Sequence, residues 1–264
     1  MIIDECHHIG AASFDAILKV VKAKYVLGLT ATPIRRDGQQ PIIFMQCGPI
    51  RYTAAKPDSA PHDLVVEPRS LFSRIDLPAE TGIQDVFRHL AIDQVRTAAI
   101  ATEVRNAYQQ GRKVLVLTER TEHLDSILAA LDGQVPAPFV LHGRMSKKQR
   151  AAMIAELDGL PPEAPRILLA TGKLVGEGFD HPALDTLVLA MPISWKGTLQ
   201  QYAGRLHREH ATKTDVRIID FVDTGHPALL RMWDKRQRGY RAIGYRVVEH
   251  TQEPADLFTG ANSA

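Results

Sequence analysis

Asp4 and Glu5 are adjacent carboxylates directly behind a short apolar run, Met1-Ile2-Ile3. At the end of a strand, one such carboxylate could hold a divalent cation and the other could polarise a water for attack on a phosphoryl group. A plain polar strand end looks the same, so the pair needs company before it means anything. Cys6, His7 and His8 follow at once. Consecutive residues leaving a strand cannot converge on one tetrahedral ion, and no second Cys/His pair stands at finger spacing, which argues against zinc. A Cys–His nucleophilic pair fails too, because strand neighbours point to opposite faces.

Three further groups could do chemistry. Thr30-Ala31-Thr32-Pro33 closes the next apolar run, Tyr25–Leu29. It would set two hydroxyls at a carboxyl sheet edge, where parallel sheets bind ligands, although a threonine-rich strand end stopped by proline reads equally well. In Gly176-Glu177-Gly178-Phe179-Asp180 the glycines let backbone approach a ligand and Asp180 could accept from a ribose hydroxyl; a simple glycine turn is the competing reading. Gln201, Gly204, Arg205 and Arg208 follow the helical spacing that lines Gln201, Arg205 and Arg208 along one face. Two guanidinium forks there suit a polyphosphate, and a solvated basic face is the alternative. The 264 residues carry no G-x-x-x-x-G-K-[ST]: Gly172-Lys173 is followed by Leu174.

Stepping from residues to elements, short β-rich runs alternate with helical patterns, the mark of a parallel α/β sheet. Strands are expected at Met1–Ile3, Tyr25–Leu29, near Arg51, and at Leu64–Leu71, Val114–Leu117, Phe139–Leu141, Arg166–Ala170, Thr186–Ala190, Val216–Phe221 and Tyr245–Val248. Helices are expected around Phe14–Val21, as one long element over 84–110 ended by Gly111, and at Glu122–Leu131, Ser146–Leu157, Thr198–His207 and from Pro227 to about Arg238. Residues 36–82 are rich in proline and poor in periodicity. The chain therefore reads as a partial α/β unit with a linker over 1–82, a complete one over 83–250, and a frayed tail over 251–264.

A net charge of +2 and a sequence pI near 8.5 permit a nucleic-acid partner without arguing for one. Two cysteines exclude a disulfide framework and fit a reducing cytoplasm. No apolar run approaches the length of a membrane span. Near the C-terminus, Arg231, Lys235, Arg236, Arg238, Arg241 and Arg246 interleave with Trp233, Tyr240 and Tyr245. Such a pattern can track a phosphate backbone and stack bases, or it can be a packed terminal helix with solvated charges.

The order of these signals outweighs any one of them. Asp4-Glu5-Cys6-His7, Thr30-Ala31-Thr32-Pro33, Val114 to Arg120, Leu141-His142-Gly143, Thr171 with Gly176–Asp180, and Gln201 to Arg208 resemble motifs II through VI of superfamily-two helicases of the DEAD/DEAH type. The stretch Gly28–Gly38 is most similar to the branch of type III restriction motor subunits and XPB-like repair helicases. The resemblance implies two RecA-like lobes that bind ATP and Mg²⁺ in the cleft between them, the first lobe being only partial here. Asp4 would serve the Mg²⁺ and Glu5 the water. His7, Thr30, Thr32, Gly178, Asp180 and Gln201 would bind ATP or couple its hydrolysis to movement, with Arg205 and Arg208 as catalytic cations. Thr118, Arg120, Gly143, Arg144, Thr171 and Lys173 would hold one nucleic-acid strand, DNA or RNA, by its backbone. Without the P-loop the first-lobe carboxylates have little to act on. The expectation is a chain inactive alone, completed by a first lobe in cis or on a partner chain. A split motor, or a non-catalytic binding module that kept the fold, are the competing readings. Arg205 and Arg208 favour the motor, since a pure binding module needs no γ-phosphate sensor.

Overall fold

A computed structural model describes residues 1–6, 20–30, 40–54, 61, 63–71, 77–172, 179–193, 196–208, 210 and 213–248. Among them are two parallel sheets. In the smaller, β1 (Ile2–Ile3) pairs with β2 (Leu27–Gly28), Ile3 opposite Gly28. Helix α1 (Gln40–Cys47) contributes Ile42, Ile43 and Cys47 to a cluster with Ile3 and Cys6. The prolines of this region hid the helix from sequence reading, yet Pro41 stands in its first turn, where a missing N–H costs nothing. The strand expected near Arg51 does not form; residues 51–54 are irregular. The expected helix around Phe14–Val21 lies mostly outside the described residues. Ile2, Tyr25, Leu27, Met45, Ile50 and Tyr52 are exposed.

The larger sheet has seven strands among the described residues: β3 (Asp63–Leu71), β4 (Lys113–Thr118), β5 (Phe139–Leu141), β6 (Arg166–Thr171), β7 (Thr186–Leu189), β8 (Asp215–Asp223) and β9 (Arg246–Val247). Their order is β5-β6-β4-β7-β8-β3-β9 and every pairing is parallel. The α/β, RecA-like parallel fold is thus present. β4 and β7 are buried on both faces, hence their unbroken apolar runs. The strand expected near Leu64–Leu71 joins this sheet, running beside β8 from Asp63↔Asp215 to Leu71↔Asp223. The sheet therefore begins ahead of the boundary expected at 83. Pro68 is tolerated in β3 because β9 pairs only with Val65 and Val66, leaving that flank of Pro68 without a ladder to interrupt.

The long helix expected over 84–110 is two helices, α2 (Ile83–Ile92) and α3 (Gln94–Gln109). Asp93 breaks it: its backbone is extended and its carboxylate accepts the Arg96 N–H at 3.0 Å, so it caps the second helix. The remaining helices are α4 (Thr121–Leu131), α5 (Lys147–Asp158, with a Ser146/Gln149 capping box), α6 (Lys196–Leu206) and α7 (Pro227–Ala242). One face of the sheet packs Leu157, Leu199, Tyr202, Leu206 and Tyr240 from α5, α6 and α7. The other packs Ile100 and Val104 of α3 and Leu124 and Ile127 of α4.

Two buried arginines fasten these layers to β8. Arg96 of α3 reaches both carboxylate oxygens of Asp223, at 2.9 and 3.3 Å, and donates to the Ala190 carbonyl at 2.6 Å. Arg236 of α7 donates to Asp220 at 2.7 Å and to the Ile193 carbonyl at 3.2 Å, and Tyr240 donates to the same Asp220 oxygen at 2.7 Å. Side chains three apart on a strand lie on opposite faces, so the two clamps work from opposite sides. Removing one partner of such a pair leaves a buried charge without compensation. Asp223→Ala is expected to cost about 3–5 kcal/mol, read as a lowered urea midpoint at unchanged slope. A cost under about 1 kcal/mol would show that the clamp is not holding the layers.

Candidate functional site

The carboxyl ends of β1 and β2 lie side by side. Leu29 N–H donates to Ile3 O and Cys6 N–H to Leu29 O, both at 2.9 Å, so Asp4 and Glu5 sit at the same edge as Thr30. Asp4 and Glu5 are exposed, and Asp4 Oδ1 accepts the Glu5 N–H at 2.9 Å. Glu5 has φ 48°, a left-handed backbone that a residue with a Cβ adopts at some cost and that often marks a functional turn. The donor chemistry fits Mg²⁺, which takes one or two carboxylates and fills its remaining positions with water and phosphate oxygens. Asp4 would hold it, and it would supply charge neutralisation at a phosphate. Among the described residues no group of three or more His, Cys, Asp or Glu is arranged to hold a metal. His7 and Thr32 lie outside the described residues.

In the large sheet, parallel register brings the other strand ends together. Thr118 is opposite Thr171, and Leu117 and Leu141 both face Ala170. The carboxyl ends of β5, β6 and β4 therefore line one edge in that order. After β5 the chain is open: Gly143 and Arg144 are exposed, the Arg144 N–H donates to His142 Nδ1 at 3.2 Å, and α5 starts three residues on. After β4 it is closed. Thr118 is buried, its hydroxyl 3.0 Å from His123 Nδ1 and accepting the Arg120 N–H at 3.4 Å. Arg120 is half-buried and donates to the carbonyl and side-chain oxygens of Gln84. Thr171 is half-buried. Lys173 and Gly178 fall outside the described residues.

A small depression opens where the connections after β4 and β7 part towards opposite faces, the place where open α/β sheets bind ligands. Its wall includes Glu119, Gly172, Met191, Ile193 and Tyr202. Tyr202 of α6 lies so close over Gly172 that no Cβ would fit there, so this glycine is required by packing. Burial, reinforced by Glu119, pushes the Tyr202 phenol up to about 12.

Gln201 and Arg205 are half-buried on α6, and Arg208 is exposed just beyond its end. Asp180, expected at a ribose or in support of this arm, lies 3.3 Å from Arg208 Nε. Lys213 donates to the carbonyls of Leu206 and Arg208, both at 2.8 Å, and so caps the helix end. Burial lowers its ammonium to about 8 against the pull of Asp185 and Asp180. Sequence reasoning missed Lys213, His123, Tyr202 and Arg96. Lys213, His123 and Arg96 belong to no motif; Tyr202 lies within the Gln201–Arg208 stretch and carries a signal, being apolar-spaced with Leu199 and Leu206 on the arginine helix.

The C-terminal basic patch divides. Tyr240, Tyr245 and Arg236 are buried, and Tyr245 is stacked on His207 with its hydroxyl 2.9 Å from Nε2. These aromatics pack lobe against helix rather than offering faces to bases; Arg231, Lys235, Arg238, Arg241 and Arg246 remain exposed.

Comparison with known proteins agrees with this architecture. The helicase conserved C-terminal domain model matches residues 96–210, and the model of the type III restriction enzyme res subunit matches residues 1–35. The chain is 27% identical over 262 residues to the probable helicase D10 of Escherichia phage T5, covering 97% of this chain and 55% of that protein. It is 28% identical over 218 residues to a DNA 3'-5' helicase XPB of Kineococcus radiotolerans, covering 80% and 37%. Among solved structures, the ATP-dependent type ISP restriction-modification enzyme LlaBIII bound to DNA superposes with a TM-score of 0.63 at 15% identity, covering 97% of this chain and 22% of that one; this likeness concerns fold alone. The chain spans about half the length of the curated relatives it matches, 55% and 48% for two of them. Among the described residues no helix is long and apolar enough to cross a membrane.

His123 gives the large sheet a dependence on pH. Burial first, then Arg96, push its imidazole down to about 3, so the folded ring is neutral while the unfolded one titrates near its usual 6.5. Because the unfolded state binds the extra proton, stability is complete above about pH 6.5 and is lost as pH falls towards 3. His123→Asn keeps an acceptor for Thr118 and removes the titration. Unfolding free energies from urea titrations at pH 7 and 4.5 are expected to differ less in this variant, by roughly 1–3 kcal/mol. An unchanged difference would place the acid sensitivity elsewhere.

Proposed function

Because this chain belongs to the superfamily-two helicases, we propose that it supplies the second RecA-like lobe and the Asp-Glu motif of an ATP-dependent motor that tracks along DNA, in repair or restriction. Support comes first from the register that aligns the carboxyl ends of β5, β6 and β4 along one sheet edge. That edge offers backbone N–H groups and cations to a phosphate chain with no means of reading base sequence. Gly143, Arg144, Thr171 and Lys173 are the contacts, with Thr118 and Arg120 shaping the edge from within. DNA is preferred to RNA on the name of the XPB relative.

ATP binds between the lobes. Glu5 orients the attacking water, and Arg205 and Arg208 stabilise charge gathering on the γ-phosphate. Asp180 keeps Arg208 extended until the nucleotide competes for it, while Gln201 lines the same face. By the resemblance, His7, Thr30, Thr32 and Gly178 take the roles of binding ATP or coupling its hydrolysis to movement. The presence of Arg205 and Arg208 favours a motor over a module that only binds nucleic acid.

Two measurements test this. Fluorescence anisotropy with a single-stranded DNA should show Arg144→Glu weakening binding about 10-fold at low salt and lowering the slope of log K against log salt by about 1. Unchanged affinity would remove that edge from the interface, and tighter binding to the matching RNA would reassign the substrate. The 264-residue polypeptide alone should show no DNA-stimulated ATP hydrolysis, since it contains no phosphate loop. Turnover near 1 per second would overturn that expectation.

A further inference from the structure

Cys6 and Cys47 are far apart in sequence and adjacent in space. Both are free thiols, Cys6 buried and Cys47 half-buried. Their sulfurs converge on one point above Gly28: a Cβ built there would stand 2.8 Å from the Cys47 sulfur and 3.0 Å from that of Cys6. The sulfurs are therefore no farther apart than those two distances together, and the Cys6 thiol interacts directly with the Cys47 sulfur. The glycine makes this meeting possible, since any side chain at 28 would occupy the space the two sulfurs share.

The setting of the pair is specific. Cys6 directly follows Asp4-Glu5 and fixes the end of β1 to β2 through its N–H bond to Leu29. Cys47 is the last residue of α1, beside Gly48 at φ 79°, where a helix end has backbone to spare for a small rotation. The rest of that cluster is Ile3, Ile42 and Ile43, and burial pushes the Cys6 thiol up to about 11 and raises that of Cys47, so the thiolate is a minor species and oxidation of the pair is slow. Packing alone would be served as well by alanine or valine; two thiols in contact add a reaction that those residues lack.

We propose that Cys6 and Cys47 are an oxidation-sensitive pair that closes a disulfide behind the Asp-Glu turn when the protein meets a hydroperoxide. Cys47, the more exposed, reacts first. Its thiolate attacks the peroxide, the O–O bond breaks, sulfur gains a hydroxyl as a sulfenic acid, and the alkoxide or hydroxide leaves and takes up a proton. The Cys6 sulfur then attacks the Cys47 sulfur, the S–O bond breaks, and water leaves with the proton of the Cys6 thiol. Two thiols are oxidised and one peroxide is reduced. The bond ties α1 to the strand end carrying Asp4 and Glu5, so the turn loses the freedom to adjust. That this slows ATP hydrolysis rests on the function proposed above; the bond itself does not.

The test treats the reduced full chain with hydrogen peroxide, alkylates what remains free and maps peptides by mass without reducing agent. The expected result is loss of both alkylatable thiols, a Cys6–Cys47 linked peptide lighter by two hydrogens, and recovery of both thiols with dithiothreitol. In Cys6→Ser, Cys47 should accumulate a dimedone adduct; in Cys47→Ser, Cys6 should give none. Disulfides only between chains, or Cys47 running on to sulfinic acid while Cys6 stays alkylatable, would overturn the proposal. These readouts need no nucleotide and no DNA, so they stand or fall apart from the motor assignment.

Discussion

The large sheet depends on two guanidinium–carboxylate pairs seated on one strand. β8 carries Asp220 towards one face and Asp223 towards the other, and each is met by an arginine from the helix covering that face. Both arginines reach past their carboxylates to carbonyls of the segment after β7, at Ala190 and Ile193. The clamps therefore hold the segment after β7 as well as binding helices to the sheet.

Their chemistry explains why apolar packing alone would not do. Leucines at 96 and 236 would fill the same space with less desolvation cost, and buried ion pairs often contribute little net stability. They do impose direction. A guanidinium fork must meet its carboxylate and a carbonyl in plane, which fixes the rotation of α3 and α7 about their axes. Arg96 also stands above the Phe221 ring and Arg236 above Trp233, so each charge is enclosed by an aromatic face as well as by acceptors. Asp220 Oδ1 is buried with no hydrogen-bond partner among the described residues, the one unsatisfied corner of this pair of clamps.

Much of this was legible in advance, for physical reasons that can be named. β4, β6 and β7 are buried on both faces, so they declare themselves as apolar runs. Ser146 and Gly111 behave as cap residues must. The break at Asp93 was hidden because Ile92 and Val95 continue the apolar pattern across it, although both are exposed. α1 was hidden by prolines, and the membership of β3 by its distance in sequence from β8. The motifs gave candidate site residues, but a motif does not say which of its groups are already engaged. Asp180 was expected at a ribose or in support of the arginine arm, and it is found against Arg208.

That last distinction governs the sheet edge as well. β4 is central and β5 is at the margin of the sheet. The turn after a central strand is crowded from both sides, so its polar groups must be satisfied internally: the Thr118 hydroxyl by His123, Arg120 by Gln84. The turn after a marginal strand has one open flank, and its polar groups can wait for a ligand in water without cost. Position in the strand order therefore sorts residues of the same type into two duties. Thr118 at the end of β4 and Arg120 just after it are engaged within the fold, while Gly143 and Arg144 after β5, beside the capped start of α5, are exposed. Substitutions after β4 should therefore act through stability, and those after β5 through affinity.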